Sequence, residues 1–255
     1  MSVQHIQLTV LGSSTPYPSA DNPCSGYLVT SGTTKLWIDA GTGTLGPLQQ
    51  HIALGDLDAI WISHLHADHS ADLLTAFYAL VAADITRRPV PLYGPPGIAE
   101  RLTHYLTNGS TPAPIDRAFE IHELHDLHQA QVGNLLLTSR SVSHGIPAFG
   151  VRIASPTTSL VFSGDTAPCA NLTDLAVDCD ALLCESESTA APHDAPQVHH
   201  TPENAGTTAT DSRAGRLIVT HVGRSLTPAD ALARAATRYS GPIEFAAPGT
   251  TFAIG

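Results

Sequence analysis

The stretch Ser63-His64-Leu65-His66-Ala67-Asp68-His69-Ser70 sets three imidazoles and a carboxylate within six residues. Ahead of it, 58–62 (Asp58-Ala59-Ile60-Trp61-Ile62) is short, apolar and rich in strand formers, and behind it 71–83 is apolar at helical spacing. The motif therefore lies in the turn where a strand hands over to a helix. There His64 and His66, two residues apart, converge on one cation, while Asp68 and His69 face a second. Neutral imidazole and carboxylate suit Zn²⁺ or Mn²⁺ with no thiolate. The plainer reading, solvated polar residues capping a helix with Ser63 or Ser70 as the cap, accounts for one histidine but not for three.

The chain has 255 residues, enough for one large domain spanning 1–255 with a substantial core. Its formal charge is −11, from 12 Lys+Arg against 23 Asp+Glu. A polyanion held through its backbone needs a basic surface, so extended nucleic-acid contacts are disfavoured. Small anions remain open, because bound metal ions supply positive charge. Cys24, Cys169, Cys179 and Cys184 form no C-x-x-C pair and read as small apolar residues of a reducing compartment. The first residues lack a basic segment followed by an apolar one, and no run reaches membrane-spanning length, so the expectation is a cytoplasmic protein without a membrane partner.

Along the chain, 6–12 alternates as a strand and ends in a loop, 12–16, with free hydroxyls and amides. Strands at 25–30 and 34–39 flank the hairpin signal Ser31-Gly32, and a helix is expected over 45–54. Asp39 is either a turn residue or a carboxylate orienting a ligating histidine. A strand at 89–93 and a helix at 98–107 follow, and 108–114 is the expected mobile rim. His122, His125 and His128 read as exposed histidines on a sheet edge. Strands at 135–142, 148–153, 159–163, 181–184, 216–220 and 242–246 alternate with helices at 171–177, 202–214 and 228–239, the last two capped by Thr201 and Thr227. Both halves show strands followed by helices, which predicts an α/β protein: two stacked mixed sheets with helices outside, an αββα sandwich.

His144, Asp165 and His221 each follow a predicted strand. Strand ends along one rim are where side chains distant in sequence can meet. His64, His66 and His144 then hold one ion, Asp68, His69 and His221 another, and Asp165 bridges them. Two cations ~4 Å apart would make a nucleophile from the water between them and clamp a phosphoryl group.

With these residues in place the chain resembles the metallo-β-lactamase superfamily and, within it, the ribonuclease Z-like phosphodiesterases. The carrying motifs are 63–69, His144 with Gly150, Ser163-Gly164-Asp165 and Thr220-His221, in order over nearly the whole chain. Two more narrow the branch: Leu182-Leu183-Cys184-Glu185-Ser186, and His199-His200-Thr201 followed by Ala205. The resemblance implies that His199 assists the leaving oxygen and Glu185 orients it, with Asp68 positioning the nucleophile as well as ligating. Alignment on Thr201 and Ala205 selects His199 over His200. Alternatively Glu185 and Glu187 are solvated and His199 is a loop histidine.

Members that process transfer-RNA 3′ ends carry a basic arm between the His144-type and Asp165-type motifs, whereas only 20 residues separate them here. The resemblance then implies a small phosphodiester substrate, a cyclic nucleotide such as 3′,5′-cAMP, two divalent ions (Zn²⁺, or else Mn²⁺ or Fe²⁺) and a homodimer. Competing readings are a transfer-RNA 3′ endonuclease, a lactone or thioester hydrolase, and a metal-binding protein without catalysis. Arg224 and the Ser13-Ser14 loop are the expected phosphate contacts.

Overall fold

The structure is a computed structural model that describes residues 5–82 and 89–255. Among these the chain forms strands β1 (Ile6–Gly12), β2 (Gly26–Ser31), β3 (Thr34–Ile38), β4 (Ala59–Trp61), β5 (Val90–Gly94), β6 (Phe119–Glu123), β7 (His128–Val132), β8 (Leu135–Ser141), β9 (Phe149–Ala154), β10 (Ser159–Phe162), β11 (Ala181–Ser186), β12 (Leu217–Val222), β13 (Ile243–Phe245) and β14 (Thr251–Ile254). The helices are α1 (Leu45–His51), α2 (Ala67–Ser70), α3 (Asp72–Ala82), α4 (Ile98–Leu106), α5 (Ala170–Leu175), α6 (Pro202–Asp211) and α7 (Pro228–Ala235).

The strands make two seven-stranded sheets, ordered β14-β1-β2-β3-β4-β5-β6 and β13-β12-β11-β10-β9-β8-β7. The halves match. Each sheet is antiparallel from β14 to β3 or from β7 to β10, and parallel beyond. Antiparallel pairs need only turns, such as the one at Gly32 with φ 58°. Parallel pairs need crossovers, which are the helices.

Three apolar layers follow from the period of two. Leu36 and Ile38 of β3, Trp61 of β4, Leu160 and Phe162 of β10 and Leu183 of β11 meet between the sheets. The alternate residues Trp37 and Ile60 face outward onto α1, α3 and α4, and Val161, Leu182 and Cys184 face α5 to α7. Central strands covered on both faces therefore read as continuous apolar runs. Trp61 donates its indole N–H to Ser139 Oγ at 3.1 Å, so the core between the sheets keeps no orphaned donor there. This is the expected αββα sandwich.

Some expectations shift. The helix predicted over 71–83 begins earlier: α2 already carries Asp68 and His69, and α3 follows from Asp72, with residue 83 lying outside the described residues. Asp72 also caps a neighbour, accepting from Gly43 N at 3.0 Å and Leu45 N at 2.7 Å, and so docks α1 on α3. Thr201 and Thr227 cap α6 and α7 in full capping boxes with Asn204 and Asp230. The segment 108–114 is not a rim of the site. It leads into the N-terminal end of β6, which runs parallel to β5, whereas the metal motif follows the C-terminal end of β4; Ala113 and Ile115 anchor it on the outer apolar layer. The strands β6, β7 and β14 were not anticipated. They are sheet-edge strands, where apolar alternation is diluted by exposed residues. His122 and His128 are half-buried there and His125 is exposed, with His122 stacked on Tyr93 at 4.9 Å. Among the described residues no helix is long and apolar enough to cross a membrane.

Candidate metal centre

The site gathers at the C-terminal ends of the parallel strands, where helix crossovers leave an open crevice. Asp39, just past β3, is a non-glycine residue at φ 51°. Asp tolerates that left-handed geometry. Its carboxylate accepts from Ser63 N at 2.8 Å and Ser63 Oγ at 2.9 Å, and lies 2.6 Å from His69 Nδ1. Asp39 thus fastens β3 to the loop after β4 and leaves His69 Nε2 pointing inward. Gly41 permits this closeness, because a Cβ there would collide with Asp68 O and Ser25 O. Asp39→Ala is expected to lower metal affinity about 10- to 100-fold. Chelator competition measures it, and an unchanged affinity would reduce Asp39 to a turn residue.

His64 and His144 are held in a similar manner. His64 Nδ1 lies 3.0 Å from Ser63 Oγ, and His144 Nδ1 donates to Val198 O at 2.9 Å. The opposite nitrogens converge: His64 Nε2 is 3.0 Å from His66 Nδ1, which is 3.2 Å from His144 Nε2. Burial lowers the pKa of all three, so each stays neutral with a lone pair to give. In the second group His69 Nε2 and His221 Nε2 each lie 3.7 Å from Asp68 Oδ2.

Asp165 stands between the groups. Its Oδ1 is 3.3 Å from His69 Nε2, and its Oδ2 is 3.3 Å from His221 Nε2 and 3.7 Å from His64 Nε2. Gly164, at φ 58°, makes the turn that aims it, in a space where a Cβ would meet Phe149 O at 2.5 Å. Burial opposes the Asp165 charge, but His221, His69 and His64 outweigh it and hold the carboxyl well below its usual range.

His69 Nε2, His221 Nε2 and Asp165 Oδ1 are buried and have no hydrogen-bond partner. Unpaired buried polar atoms are costly. Three of them aimed at one space, beside a second cluster of neutral imidazoles, fit divalent cations.

Beside this lies His199, its Nδ1 3.0 Å from Glu185 Oε1 and 3.8 Å from Asp165 Oδ2. Glu185 is fully buried, accepting from Thr166 N at 2.7 Å and Glu187 N at 3.1 Å. Glu187, unassigned in the sequence reading, lies 2.8 Å from His199 Nε2 through Oε2. No strand period marks it, because β11 ends at Ser186 and its pairing register shifts between Glu185 and Ser186. Burial disfavours charge on His199, yet its bonds to Glu185 and Glu187 push its pKa up to about 11.

His200 is turned away. Its Nδ1 donates to Thr166 O at 2.6 Å, and its Nε2 accepts from Thr208 Oγ1 at 3.1 Å. Burial lowers its pKa from 6.5 to about 4. The unfolded chain therefore takes up this proton first. The contribution is full above pH 6.5 and is lost as pH falls towards 4, by about 3 kcal/mol at roughly 1.4 kcal/mol per unit. Denaturant unfolding of metal-free protein between pH 7 and 4 measures this, and His200→Asn should flatten that part of the slope.

The expected phosphate contacts are engaged elsewhere. Arg224 donates to Thr15 O at 3.1 Å and to Tyr17 O, with its guanidinium 3.5 Å from the Tyr17 ring centroid. Ser13 N donates to Asn22 Oδ1 and Ser14 Oγ to Tyr17 O, both at 2.9 Å. Together they fix the loop whose Pro16 lines a cleft of about 310 Å³ with His66, Asp68, Asp165, Glu187 and His199.

Two stacked mixed sheets with a histidine–aspartate cluster at the strand ends define a metal-dependent hydrolase of the metallo-β-lactamase type. Residues 34–222 match the family model described as beta-lactamase superfamily domain. The uncharacterized protein ML1173 of Mycobacterium leprae is 34% identical over 265 residues, 99% of this chain and 90% of that one. Ribonuclease Z of Mycobacterium bovis is 31% identical over 275 residues, 94% of this chain and 95% of the other. The fold is similar to that of the metallo-beta-lactamase fold protein YhfI of Bacillus subtilis, with a TM-score of 0.87 at 24% identity over 98% of this chain and 100% of YhfI. The chain belongs to the metallo-β-lactamase superfamily as a ribonuclease Z-like member.

Proposed function

We propose that residues 1–255 form one hydrolase domain, a dimetal phosphodiesterase of small phosphodiesters, with a cyclic nucleotide such as 3′,5′-cAMP as substrate. The observation that carries this is the His199–Glu185 pair at 3.0 Å, set beside Asp165 at the edge of the 310 Å³ cleft. His64, His66 and His144 would hold one ion, Asp68, His69 and His221 the other, with Asp165 shared. Zinc is the expected metal, and manganese or iron also suit these donors. Divalent ions there supply an activated water and positive charge for the phosphoryl oxygens. Asp68 orients that water. His199, held by Glu185, delivers its proton to the departing oxygen, which would otherwise leave as a costly alkoxide. Glu187 must yield His199 Nε2 for that transfer.

A small substrate is favoured by the acidic balance and by the span between His144 and Asp165, which β9, β10 and the turn at 155–158 use up. Transfer-RNA processing is the second reading, with a relative named ribonuclease Z beside it. Turnover of 3′,5′-cAMP, bis-p-nitrophenyl phosphate and a transfer-RNA precursor by zinc- or manganese-loaded protein separates the two. Activity on cAMP supports the proposal, and activity on the precursor alone sinks it. We also take the protein to be a homodimer, which light scattering tests.

A further inference from the structure

The two intervening positions of the H-x-H-x-D-H motif, Leu65 and Ala67, face a second hollow. It has a volume of about 250 Å³ and lies between α3 and α4, with Leu65, Ala67, Leu73 and Leu102 among its walls and Arg101 and Tyr105 at its mouth. Ala67 also lines the cleft at the metal centre, so the two spaces share a wall there, next to the exposed His66. Arg101 and Tyr105 stand one turn apart on α4 and share a face. Tyr105 is 70% exposed, unusually so for a large aromatic side chain. Among the described residues Arg101 makes no ion pair, although the chain carries a formal charge of −11.

We propose that this hollow is the nucleobase subsite: it seats the base of a mononucleotide whose phosphate lies over the metal centre. The inference rests on the phosphodiesterase reading and deepens it. A flat, largely apolar ring with polar edges matches what the walls offer: aliphatic carbon from Leu65, Leu73 and Leu102, an aromatic face from Tyr105, and a planar fork of donors from Arg101. The unpaired guanidinium also complements an anionic substrate. A lactone or a simple alkyl phosphodiester would leave both groups idle.

The test is equilibrium binding to zinc- or manganese-loaded protein, followed by titration calorimetry with adenosine 5′-monophosphate and with ribose 5-phosphate, which lacks the base. We expect the nucleotide to bind at least about tenfold more tightly, as stacking on an aromatic face would give. Tyr105→Ala should remove most of that preference, Tyr105→Phe should keep it, and Arg101→Gln should weaken it. Equal affinity for the two ligands, or a preference that survives Tyr105→Ala, would overturn the subsite. Turnover of bis-p-nitrophenyl phosphate judges the reading beneath it. Turnover without base-dependent binding sinks the subsite alone, and base-dependent binding without turnover upholds the subsite while removing the phosphodiesterase.

Discussion

Asp165→Ala is expected to empty the centre of metal and to abolish hydrolysis. The carboxylate lies within 3.3 Å of His69 Nε2 and His221 Nε2 and 3.7 Å of His64 Nε2, so it addresses both histidine clusters. Removing a group that merely orients a ligand costs about 10- to 100-fold in metal affinity. A shared ligand should cost more, about a thousandfold or beyond, because both sites lose charge at once. The variant also leaves buried imidazoles facing one another without the anion that compensates them, so its stability should drop. Asp165→Asn, which keeps the volume, serves as the second variant. Elemental analysis should show bound metal falling towards none in both, with the fold checked by circular dichroism. Full metal content in a folded variant would overturn the shared role.

His199→Ala should separate chemistry from metal binding. Metal content is expected to stay at the wild-type value while turnover of 3′,5′-cAMP falls about 10²- to 10⁴-fold, the usual contribution of a positioned proton donor. The loss should depend on the leaving group. A ribose oxygen needs a proton as it departs, whereas p-nitrophenolate is a stable anion and leaves without one. Bis-p-nitrophenyl phosphate should therefore lose far less. An equal loss on both substrates would assign His199 to binding or structure instead. The pair geometry sharpens this, because Glu185 is fully buried and fastened by Thr166 N and Glu187 N, so it can orient the ring but cannot follow the substrate.

Much of this protein was readable before its fold. The run from His64 to His69 is local, so spacing alone indicates which side chains can face a cation. His144, Asp165 and His221 were placed by the same logic at the ends of strands whose apolar runs are long and buried. The edge strands β6 and β7 escaped notice because His122, Glu123, His128 and Gln129 interrupt any alternation. Glu187 escaped because the chain beyond β11 carries no pattern that tells a cleft carboxylate from a solvated one. The engagement of Arg224 and Ser14, named as phosphate contacts, was not foreseen for a related reason. A basic and a hydroxyl residue near a site do not reveal that Tyr17 and its carbonyl already hold them.

The sequence by itself determined the donor chemistry, the two-sheet architecture and the small number of positions from which ligands can come. These depend on residue type and on spacing within a few residues. Tertiary structure alone decided which nitrogen of His64, His69 and His144 is anchored and which is free. It also decided between the two readings of Asp39, setting its carboxylate 2.6 Å from His69 Nδ1, and brought His199 between Glu185 and Glu187 while burying its neighbour His200. The physical reason is that orientation at this scale comes from contacts such as Asp39 with His69 or Val198 with His144. Those groups lie far apart in the chain and meet only when the two sheets close on their common core.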